Sequence, residues 1–507
     1  MYIAPNSKIH LLKDVPLDNR YQHTLWFADK TSQHNYFTGK IKHSFDDQSY
    51  VRLNRGYINV EIKADMCYDC NYMMYQNTSF GNKWFYAFIT SVEYVNNEVA
   101  KITFDTDVMQ SWFFDFDIGK CMVEREHVTN DAIGANTTAE PVTFTSDYYI
   151  YDYLPADRTI STTISMCVAF SRSVGEGGTV SPSIIGGVPN ATEVYVYHSW
   201  SKFKDFMSGL NSTSLDAIVF ATTLPYELAK ELGEGRINTD RVAPVKIQKT
   251  IPRSDLTSVM GNYIPKNNKC YTYPYNYLNC ETNAGSLQYL LEKNNDDFSF
   301  SYYLAFSSTP SVFMRCDSYF DRYNGCAFNG YPQIPWTTNV YSQWQAVKDQ
   351  NMYYQVKNAL GTVGSIGYGK LIGTNIDFAK QIRDNTVNNA IVDQTFTRIT
   401  PTHHGSSDGY ADIVASNNKP LFTRAHLNDN ALEILDDYFT RYGYQINRVK
   451  TPNTHARPAF NFVKTNGCTV TGSLPADDMA LVNSIHDSGI TYWTNHSAVG
   501  DYSVNNK

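Results

Sequence analysis

The first 128 residues carry the hydrophobic pattern of half-buried strands. Residues 57–64 alternate apolar and polar side chains with a period of two, as a strand with one buried face does. The apolar runs 84–89 and 100–104 flank an Asn-Asn turn at 96–97, and together they predict a β-hairpin. Residues 108–114 add a third apolar block, which we assign to the same strand-rich section.

The last ninety residues combine helical and strand patterns. Apolar residues at 432, 435, 439 and 442 form a stripe at helical spacing over Asp429–Tyr442, and Gly443 stands where a helix C-cap belongs. A second helix is predicted over 477–487 and ends at Gly489. Strands are predicted at 444–449, 460–464 and 490–493.

The middle of the chain, residues 129–336, has a different texture. Residues 164–170 alternate as a strand does, and a Gly/Ser/Pro-rich stretch follows them. Further strands are predicted at 194–197 and 298–306, and a short helix over 225–232 ends at Gly233. The sequence therefore predicts a mainly β protein with a few α-helices, of the α+β class.

A third stretch, residues 337–418, differs from both. Residues 340–357 have the spacing of an amphipathic helix. The Gly-punctuated apolar segment 361–373 follows, and polar sequence leads out of it to residue 418. We predict a helix and a flexible loop here, because closely spaced glycines relax the backbone.

Composition narrows the class of protein. At 507 residues the chain has room for about three domains. Charged residues make up only 18% and aromatic residues 14%, which excludes a disordered chain, a coiled coil and a collagen-like protein. The net charge of −8 argues against a tight nucleic-acid binder, since such binding depends on neutralising phosphates. Nine scattered cysteines indicate reduced thiols rather than a disulfide framework.

No motif for catalysis, a cofactor or a metal emerges from the sequence. Cys67 and Cys70 form a CxxC without a second pair at zinc spacing, so two thiols in a strand-rich core are expected. Residues 364–371 approach a P-loop, but Leu371 stands where Ser or Thr would hold magnesium. Asp105 and Asp107 lie at a strand end and are interpreted as solvated rather than as half a calcium site.

Two further observations complete this part of the prediction. The adjacent pair His403-His404 has a spacing at which side chains rarely face one metal. No GxSxG, HExxH or Cys-His signature occurs, so enzymatic function is not supported. We also expect no signal peptide at the start of the chain and no membrane-spanning helix, because no apolar run is long enough.

Several longer motifs resemble one family. In the first part of the chain these are Gly81–Phe88, Asp107–Trp112 and Arg125–Val128. In the last part they are Tyr442–Lys450, Ala459–Asn461, Asp487–Trp493 and Asp501–Val504. These motifs, in this order, resemble the tail knob (distal tail tube) proteins of phi29-like podoviruses, which are short-tailed phages of Gram-positive hosts. They cover the first 130 and the last 85 residues.

The resemblance implies an architecture. Residues 1–128 and 419–507 would together form one discontinuous tube domain, a tail-tube-like β-barrel that closes a hexameric ring. Residues 129–336 would be an inserted β-rich region, and residues 337–418 a helix with a Gly-rich loop at the tip. The family motifs contribute structural residues to the tube domain: Trp84, Phe85, Tyr86, Trp112, Gly443, Asn447, Arg448 and Trp493.

The resemblance also implies a function. Such a protein forms the end of a non-contractile tail, and the viral genome passes through its channel into the host without tight binding. Its expected partners are copies of itself, the collar or upper tail tube protein, tail appendages, and the host cell wall or membrane at the tip. It would be made late in the bacterial cytoplasm and reside at the tail tip of the virion. A cell-wall hydrolase and a host-receptor adhesin are the alternatives.

In that family a long hydrophobic loop plugs the tip and is thought to help open the host membrane. The corresponding stretch is much shorter here, and its apolar part shrinks to 359–372. Fourteen helical residues rise about 21 Å, less than the roughly 30 Å of a hydrocarbon core. We therefore predict a plug rather than a membrane pore, with these candidate residues: Gly361, Gly364, Gly367, Gly369, Leu371, Ile372 and Gly373.

Overall fold

The computed structural model describes most of the chain outside one long segment. The described residues are 7–48, 56–78, 81–161, 163–170, 174, 184–185, 188–189, 193–210, 218–237, 245–258, 261–282, 285–294, 296–306, 310–318, 325–327 and 420–507. The predicted helix at 340–357, the candidate plug residues in 361–373, the P-loop-like run 364–371 and the His403-His404 pair lie outside them.

Strands dominate the described residues. They are, in chain order, β1 (Ser7–Lys13), β2 (His23–Leu25), β3 (Ile41–Gln48), β4 (Gly56–Val60), β5 (Cys70–Asn77), β6 (Trp84–Asn96), β7 (Val99–Thr106), β8 (Phe116–Ile118), β9 (Cys121–Glu126), β10 (Tyr149–Tyr153), β11 (Ile164–Phe170), β12 (Ile184–Ile185), β13 (Val188–Pro189), β14 (Glu193–Tyr197), β15 (Ile218–Pro225), β16 (Gly235–Ile237), β17 (Val245–Ile251), β18 (Asn276–Thr282), β19 (Gly285–Tyr289), β20 (Phe298–Phe306), β21 (Pro310–Cys316), β22 (Gly325–Ala327), β23 (Leu421–Leu427), β24 (Tyr444–Lys450), β25 (Phe460–Asn466), β26 (Val470–Gly472) and β27 (Ile490–Trp493).

Helices are fewer and shorter. Among the described residues, the α-helices are α1 (Lys30–Thr38), α2 (Val108–Ser111), α3 (Trp200–Gly209), α4 (Tyr226–Ala229), α5 (Ser254–Thr257), α6 (Asp429–Tyr442) and α7 (Ala476–Ser488). Single 3-10 turns lie at Ala64–Met66, Ser146–Tyr148, Ala156–Arg158, Lys230–Leu232, Asn268–Tyr271 and Leu291–Lys293. The fold is thus mainly β with few helices, as the sequence predicts.

The chain divides into two compact units. Unit 1 consists of Met1–Thr145, Tyr263–Cys270 and Asp429–Lys507, and unit 2 of Ser146–Asn262 and Tyr271–Asn428. Strand β23 belongs to unit 2 because it pairs with both β10 and β18, although the sequence assigned its residues to the tube domain. The three-part division drawn from the sequence stays a prediction.

Unit 1 contains two large sheets. The six-stranded sheet has the order β3-β1-β5-β6-β7-β4, and the five-stranded sheet has the order β2-β27-β25-β9-β24. Strand β27 pairs in parallel with β2, so the last strand of the chain lies beside one of the first. Both chain ends therefore contribute strands to a single sheet.

Two apolar clusters form the interior of unit 1. One of them packs β1, β4–β7 and α2 against α7 and β27, with Phe85, Phe104 and Tyr492 among its buried rings. The other surrounds Phe37, Phe460 and Trp493. Burying a ring of this kind stabilises a fold by about 1.5–3 kcal/mol relative to leaving it exposed.

The described residues of unit 2 form three four-stranded sheets and a small hairpin. The sheets have the orders β10-β23-β18-β19, β15-β11-β14-β16 and β17-β20-β21-β22, and β12 pairs with β13. Within each four-stranded sheet the pairings are antiparallel.

Three local predictions need correction. All seven residues of β11 are buried, so this strand lies in the interior rather than presenting one wet face. The apolar block at 108–114 begins with helix α2 instead of continuing the strands. Asp107 is only 1% exposed, and its carboxylate accepts hydrogen bonds from the backbone N–H groups of Met109 and Gln110. It is the N-cap of α2 and not a solvated strand end.

The penultimate residue is held in the core of unit 1. Asn506 Oδ1 accepts hydrogen bonds from the N–H groups of Ala459 (2.9 Å) and Phe460 (3.0 Å), and its Nδ2 donates to Phe460 O (2.8 Å). These bonds satisfy the backbone at the start of β25, where buried polar groups require partners.

We expect Asn506→Ala to lower the free energy of unfolding by about 1–3 kcal/mol, because it leaves buried backbone groups without partners. The urea midpoint, followed by tryptophan fluorescence, measures the change. Asn505 is the matched control, since it is exposed and its side chain accepts only from the N–H of Lys507 in the described contacts. Equal midpoints for Asn505→Ala and Asn506→Ala would contradict the assigned role.

Candidate functional site

The candidate site is the junction of the two chain ends in unit 1, defined as β9, α6, β24, β25 and the short segment Tyr263–Cys270. Strand β9 pairs with β24 on one side and with β25 on the other. A strand from the first part of the chain is therefore enclosed by two strands from the last part. This arrangement makes the discontinuous unit one folded body.

A glycine turn connects α6 to β24 at the junction. Gly443 has φ +63°, and its N–H donates to Phe439 O at 2.9 Å, as at a helix C-terminus. A Cβ at this position would lie 2.3 Å from Glu126 O and 2.6 Å from His127 N. The turn packs directly on the backbone that follows β9, so a side chain has no room here.

A buried ion cluster lies beside this turn. The Glu140 side chain is 1% exposed and bridges two cations, Arg125 at 2.6 Å and Lys269. Arg125 also donates to Gly443 O at 2.6 Å, and Glu140 accepts from the N–H of Gln445 at 2.9 Å. Burial lowers the pKa of Lys269, while the Glu140 carboxylate opposes that shift.

A second buried carboxylate fixes the short segment against α6. Asp436 is 0% exposed and accepts hydrogen bonds from the Tyr263 hydroxyl (2.8 Å) and from the N–H groups of Lys266 (2.7 Å) and Asn267 (2.9 Å). The amide of Asn267 also donates to Asp436 Oδ1 and to Thr440 Oγ1, both at 2.8 Å. The set of partners satisfies a buried charge, which would otherwise destabilise the fold.

His127 lies in the same junction, and the hydrogen bonds of its two ring nitrogens determine its tautomer. Its Nδ1 accepts from the N–H of Phe462 at 2.7 Å, so its Nε2 carries the proton and donates to Thr440 O at 3.0 Å. Burial, with the charge of Arg457, lowers the pKa of His127 to about 3 from its ordinary value of 6.5. The imidazole is therefore neutral in the folded protein.

The low pKa of His127 predicts a pH dependence of stability. A base with a depressed pKa contributes stability above its ordinary value, and that stability is lost as the pH falls from 6.5 toward about 3. We expect His127→Gln to lower the slope of the unfolding free energy against pH by about 1.4 kcal/mol per unit in this window. Urea titrations at a series of pH values measure the slope.

Asp107 supplies a control of opposite sign. Burial raises the pKa of Asp107 from 3.8 to about 6, so its contribution to stability declines as the pH rises through that interval. Asp107→Asn should therefore increase the slope where His127→Gln decreases it. Identical slopes for the His127 variant and the wild-type protein would show that His127 is not neutral in the fold.

The motif residues proposed from the sequence lie at the two large sheets of unit 1. Phe85, Tyr86 and Trp112 are buried among aromatic rings, and Trp112 Nε1 donates to Asp478 Oδ2 at 2.9 Å. Trp84 is half-buried and stacks on His10 and His34 with ring centroids 5.2 and 5.3 Å apart. These four residues belong to the core and rim of the six-stranded sheet.

The remaining motif residues belong to the five-stranded sheet. Trp493 is fully buried, and its Nε1 donates to His23 Nδ1 at 3.1 Å. Gly443 forms the turn described above. Asn447 and Arg448 are exposed on β24, where Asn447 has φ +48° at an irregularity in the pairing with β9. A bulged and exposed edge strand suits contact with another molecule. The structural role predicted for Asn447 and Arg448 stays a prediction.

Sequence reasoning missed the buried polar residues of the junction. Glu140, Lys269 and Asn267 come from the middle of the chain, and their spacing gives no periodic signal. Within the described ranges, no group of three or more His, Cys, Asp or Glu side chains is placed to hold a metal ion. None of the helices in those ranges is long and apolar enough to cross a membrane.

Comparisons with known proteins define the class. Residues 5–117 match the family described as "Caudoviral major tail protein N-terminus". The mainly β fold and this match identify a structural tail protein of tailed phages. Residues 242–507 match the family described as "Bacillus phage phi29, Tail knob protein gp9, C-terminal domain". The chain belongs to this tail knob family, which confirms the resemblance found in its motifs.

Individual relatives agree over the full length. The chain is 25% identical to tail knob protein gp9 of Bacillus phage PZA over 597 aligned residues, which cover 99% of this chain and 98% of the relative. Identity to tail knob protein gp9 of Bacillus phage phi29 is 24% with the same coverage. The bacteriophage C1 tail knob protein gp12 shares the fold, with a TM-score of 0.66, 16% identity and 99% coverage of both chains.

These relatives argue against the alternative that the chain is a cell-wall hydrolase. Tail knob proteins are structural proteins and not enzymes, so this chain is a structural component of the virion tail. The cell-wall hydrolase alternative is thereby set aside. In the junction, buried ion pairs and hydrogen bonds join segments that are distant in the sequence.

Proposed function

We propose that this chain is the subunit of a hexameric distal tail tube through which the phage genome is ejected. Membership in the tail knob family supports a location at the tail tip. The observation that carries the proposal is the five-stranded sheet, in which β2 and β9 from the first part of the chain pair with β27, β25 and β24 from the last part. A subunit whose ends are tied into one sheet transmits load through a folded body rather than through a free terminus.

The charge of the chain supports passage of DNA without adhesion. Each copy carries a net charge of −8, so a ring of six carries −48. A wall with this excess offers few sites that release counterions from DNA, and phosphates are repelled from it. A ring that binds DNA would be expected to carry a positive net charge. The collar or upper tail tube protein is the expected partner on the side facing the head.

The oligomeric state tests the proposal directly. Native mass spectrometry of the purified chain should give six copies of the 57.6 kDa subunit. In an electrophoretic assay at about 50 mM salt, where electrostatic binding is strongest, duplex DNA should not be retained by these rings. A stable monomer at high concentration, or a salt-sensitive DNA complex, would contradict the proposal.

We propose further that the segment 361–373 plugs the tip before ejection. The support comes from its sequence, whose apolar part is too short for a bilayer span. Deletion of 361–373 should leave ring assembly intact and should reduce retention of packaged DNA or infectivity. A deletion variant that fails to fold would show instead that the segment belongs to a structural core.

A receptor-binding role is the second candidate, and one surface of unit 2 favours it. Strand β10 and its neighbourhood expose several tyrosine rings: Tyr148 (46%), Tyr151 (49%), Tyr153 (72%) and Tyr273 (47%). Aromatic faces with polar tips suit contact with carbohydrate surfaces. Purified protein that carries Tyr151→Ser and Tyr153→Ser should block the adsorption of phage to host cells less well than the purified wild-type protein does. Unchanged competition would remove this candidate.

A further inference from the structure

Two thiols lie on a pair of antiparallel segments in unit 1. Met122 near the start of β9 pairs with Asn466 at the end of β25, and Ile118 of β8 pairs with Val470 of β26. Both pairs have the same register, and the N–H of Gly119 donates to Thr469 O at 2.8 Å between them. The segments therefore run side by side without a slip from residue 118 to residue 122.

This register places Cys121 one residue diagonally from Cys468. Strands lie about 4.8 Å apart and rise about 3.4 Å per residue, which gives a Cα separation of about 6 Å. Native disulfides span about 4.4–6.8 Å between Cα atoms, so the separation is suitable. In regular strands, side chains at such positions would point to opposite faces. Gly467, which precedes Cys468 and lies opposite Cys121 in this register, has φ +68° and breaks that alternation. Each thiol also affects the pKa of the other, as neighbouring side chains do.

The two thiols are covered but not sealed from solvent. Cys121 is 5% exposed and Cys468 is 7% exposed. Burial raises the pKa of both, that of Cys468 to about 12, and the Asp487 carboxylate raises them further. Asp487 accepts from the N–H of Cys468 (3.0 Å) and from Thr465 Oγ1 (2.7 Å), and the charge of Glu126 also raises the pKa of Cys121. Both sulfurs are therefore protonated at neutral pH.

We propose that Cys121 and Cys468 are a modification site at which a low-molecular-weight disulfide, such as oxidised glutathione, forms an intramolecular disulfide. One thiol loses its proton and attacks the small disulfide, forming a mixed disulfide and releasing one reduced glutathione. The second thiol loses its proton and displaces the other glutathione as the Cys121–Cys468 bond forms. The protein loses two hydrogen atoms, and two glutathione thiols gain them.

The bond would clip the two chain ends together. It joins the start of β9 to the segment between β25 and β26, so the whole of unit 2 lies within the closed loop of the chain. Virion proteins outside the cell meet oxidising surroundings, in which disulfides persist. The high pKa of both thiols makes the reaction slow at neutral pH, because the thiolate is the attacking species. Slow closure suits a clip that forms after the unit has folded.

The other close pair does not offer such a link. Cys67 and Cys70 are buried and enclose a tight turn in which the N–H of Cys70 donates to Cys67 O at 2.9 Å. A bond between them would staple only that turn. The variant Cys70→Ser is therefore a matched control for Cys468→Ser, since each removes one buried thiol from the same apolar cluster.

The test uses the full chain treated with oxidised glutathione, followed by peptide mapping without reductant. We expect a peptide that links Cys121 to Cys468. At pH values below the thiol pKa, this link should form about tenfold faster for each unit by which the pH is raised. The link should persist in Cys70→Ser and vanish in Cys468→Ser, and the oxidised wild type should have a higher urea midpoint than the reduced protein. A Cys67–Cys70 link alone, or a Cys121–Cys468 link that forms only in denaturant, would overturn the proposal. These readouts on wild type stand even if a variant fails to fold.

Discussion

Gly443→Ala is expected to lower the free energy of unfolding of unit 1 by about 4 kcal/mol or more, an exceptional loss for one methyl group. The added Cβ would lie 2.3 Å from Glu126 O and 2.4 Å from Glu126 C, and both atoms are backbone. Neither can move without parting β9 from β24. The left-handed φ of +63° adds about 1 kcal/mol or more of strain.

Gly81→Ala isolates the steric part of this effect. Gly81 has φ +64°, nearly the same as Gly443, but a Cβ there meets nothing within 4 Å. This variant should cost only the backbone strain, about 1–2 kcal/mol. Urea midpoints followed by tryptophan fluorescence compare the two, since Trp26, Trp84, Trp112 and Trp493 lie in unit 1. Equal losses for the two variants would show that the close approach to β9 is absent.

Glu140→Gln should destabilise unit 1 by about 3–5 kcal/mol, because it leaves two buried cations without a counter-charge. Arg125 and Lys269 have side chains that are only 10% and 4% exposed, so water cannot replace the carboxylate. Burial already lowers the pKa of Lys269, and the variant removes the group that opposes this shift. The loss should therefore shrink as the pH rises and the lysine becomes neutral.

Glu93→Gln is the control for the buried cluster. Glu93 pairs with Lys101 at 2.9 Å, and the two side chains are 53% and 32% exposed. Breaking a solvated pair of this kind costs about 0.2–1 kcal/mol. Urea midpoints at neutral and alkaline pH measure both variants. A Glu140→Gln midpoint no lower than that of Glu93→Gln would mean that the cluster does not hold the junction together.

Periodic elements of the junction were accessible from the sequence. The stripe of apolar residues over Asp429–Tyr442 predicted α6 at its observed bounds, and Gly443 marked its end. The strand at 298–306 was likewise predicted with the observed bounds. In such segments the local pattern and the tertiary packing agree, so one face of the element already identifies the core.

Contacts between distant segments were not accessible. Glu140 meets Lys269 across 129 positions and Gln445 across 305, and no spacing rule links them. Asp107 seemed to end a strand because its role as an N-cap depends on the helix that follows, and the apolar run at 108–114 also fits a strand. The motif resemblance supplied the family, yet it could not supply the polar residues that join the chain ends.

Negative-stain electron microscopy of the purified full chain tests the central proposal most directly. If both chain ends form one unit that assembles around an open bore, class averages should show closed rings of six subunits with a stain-filled centre. Particles that remain single bodies when concentrated, or assemblies without a central opening, would contradict it.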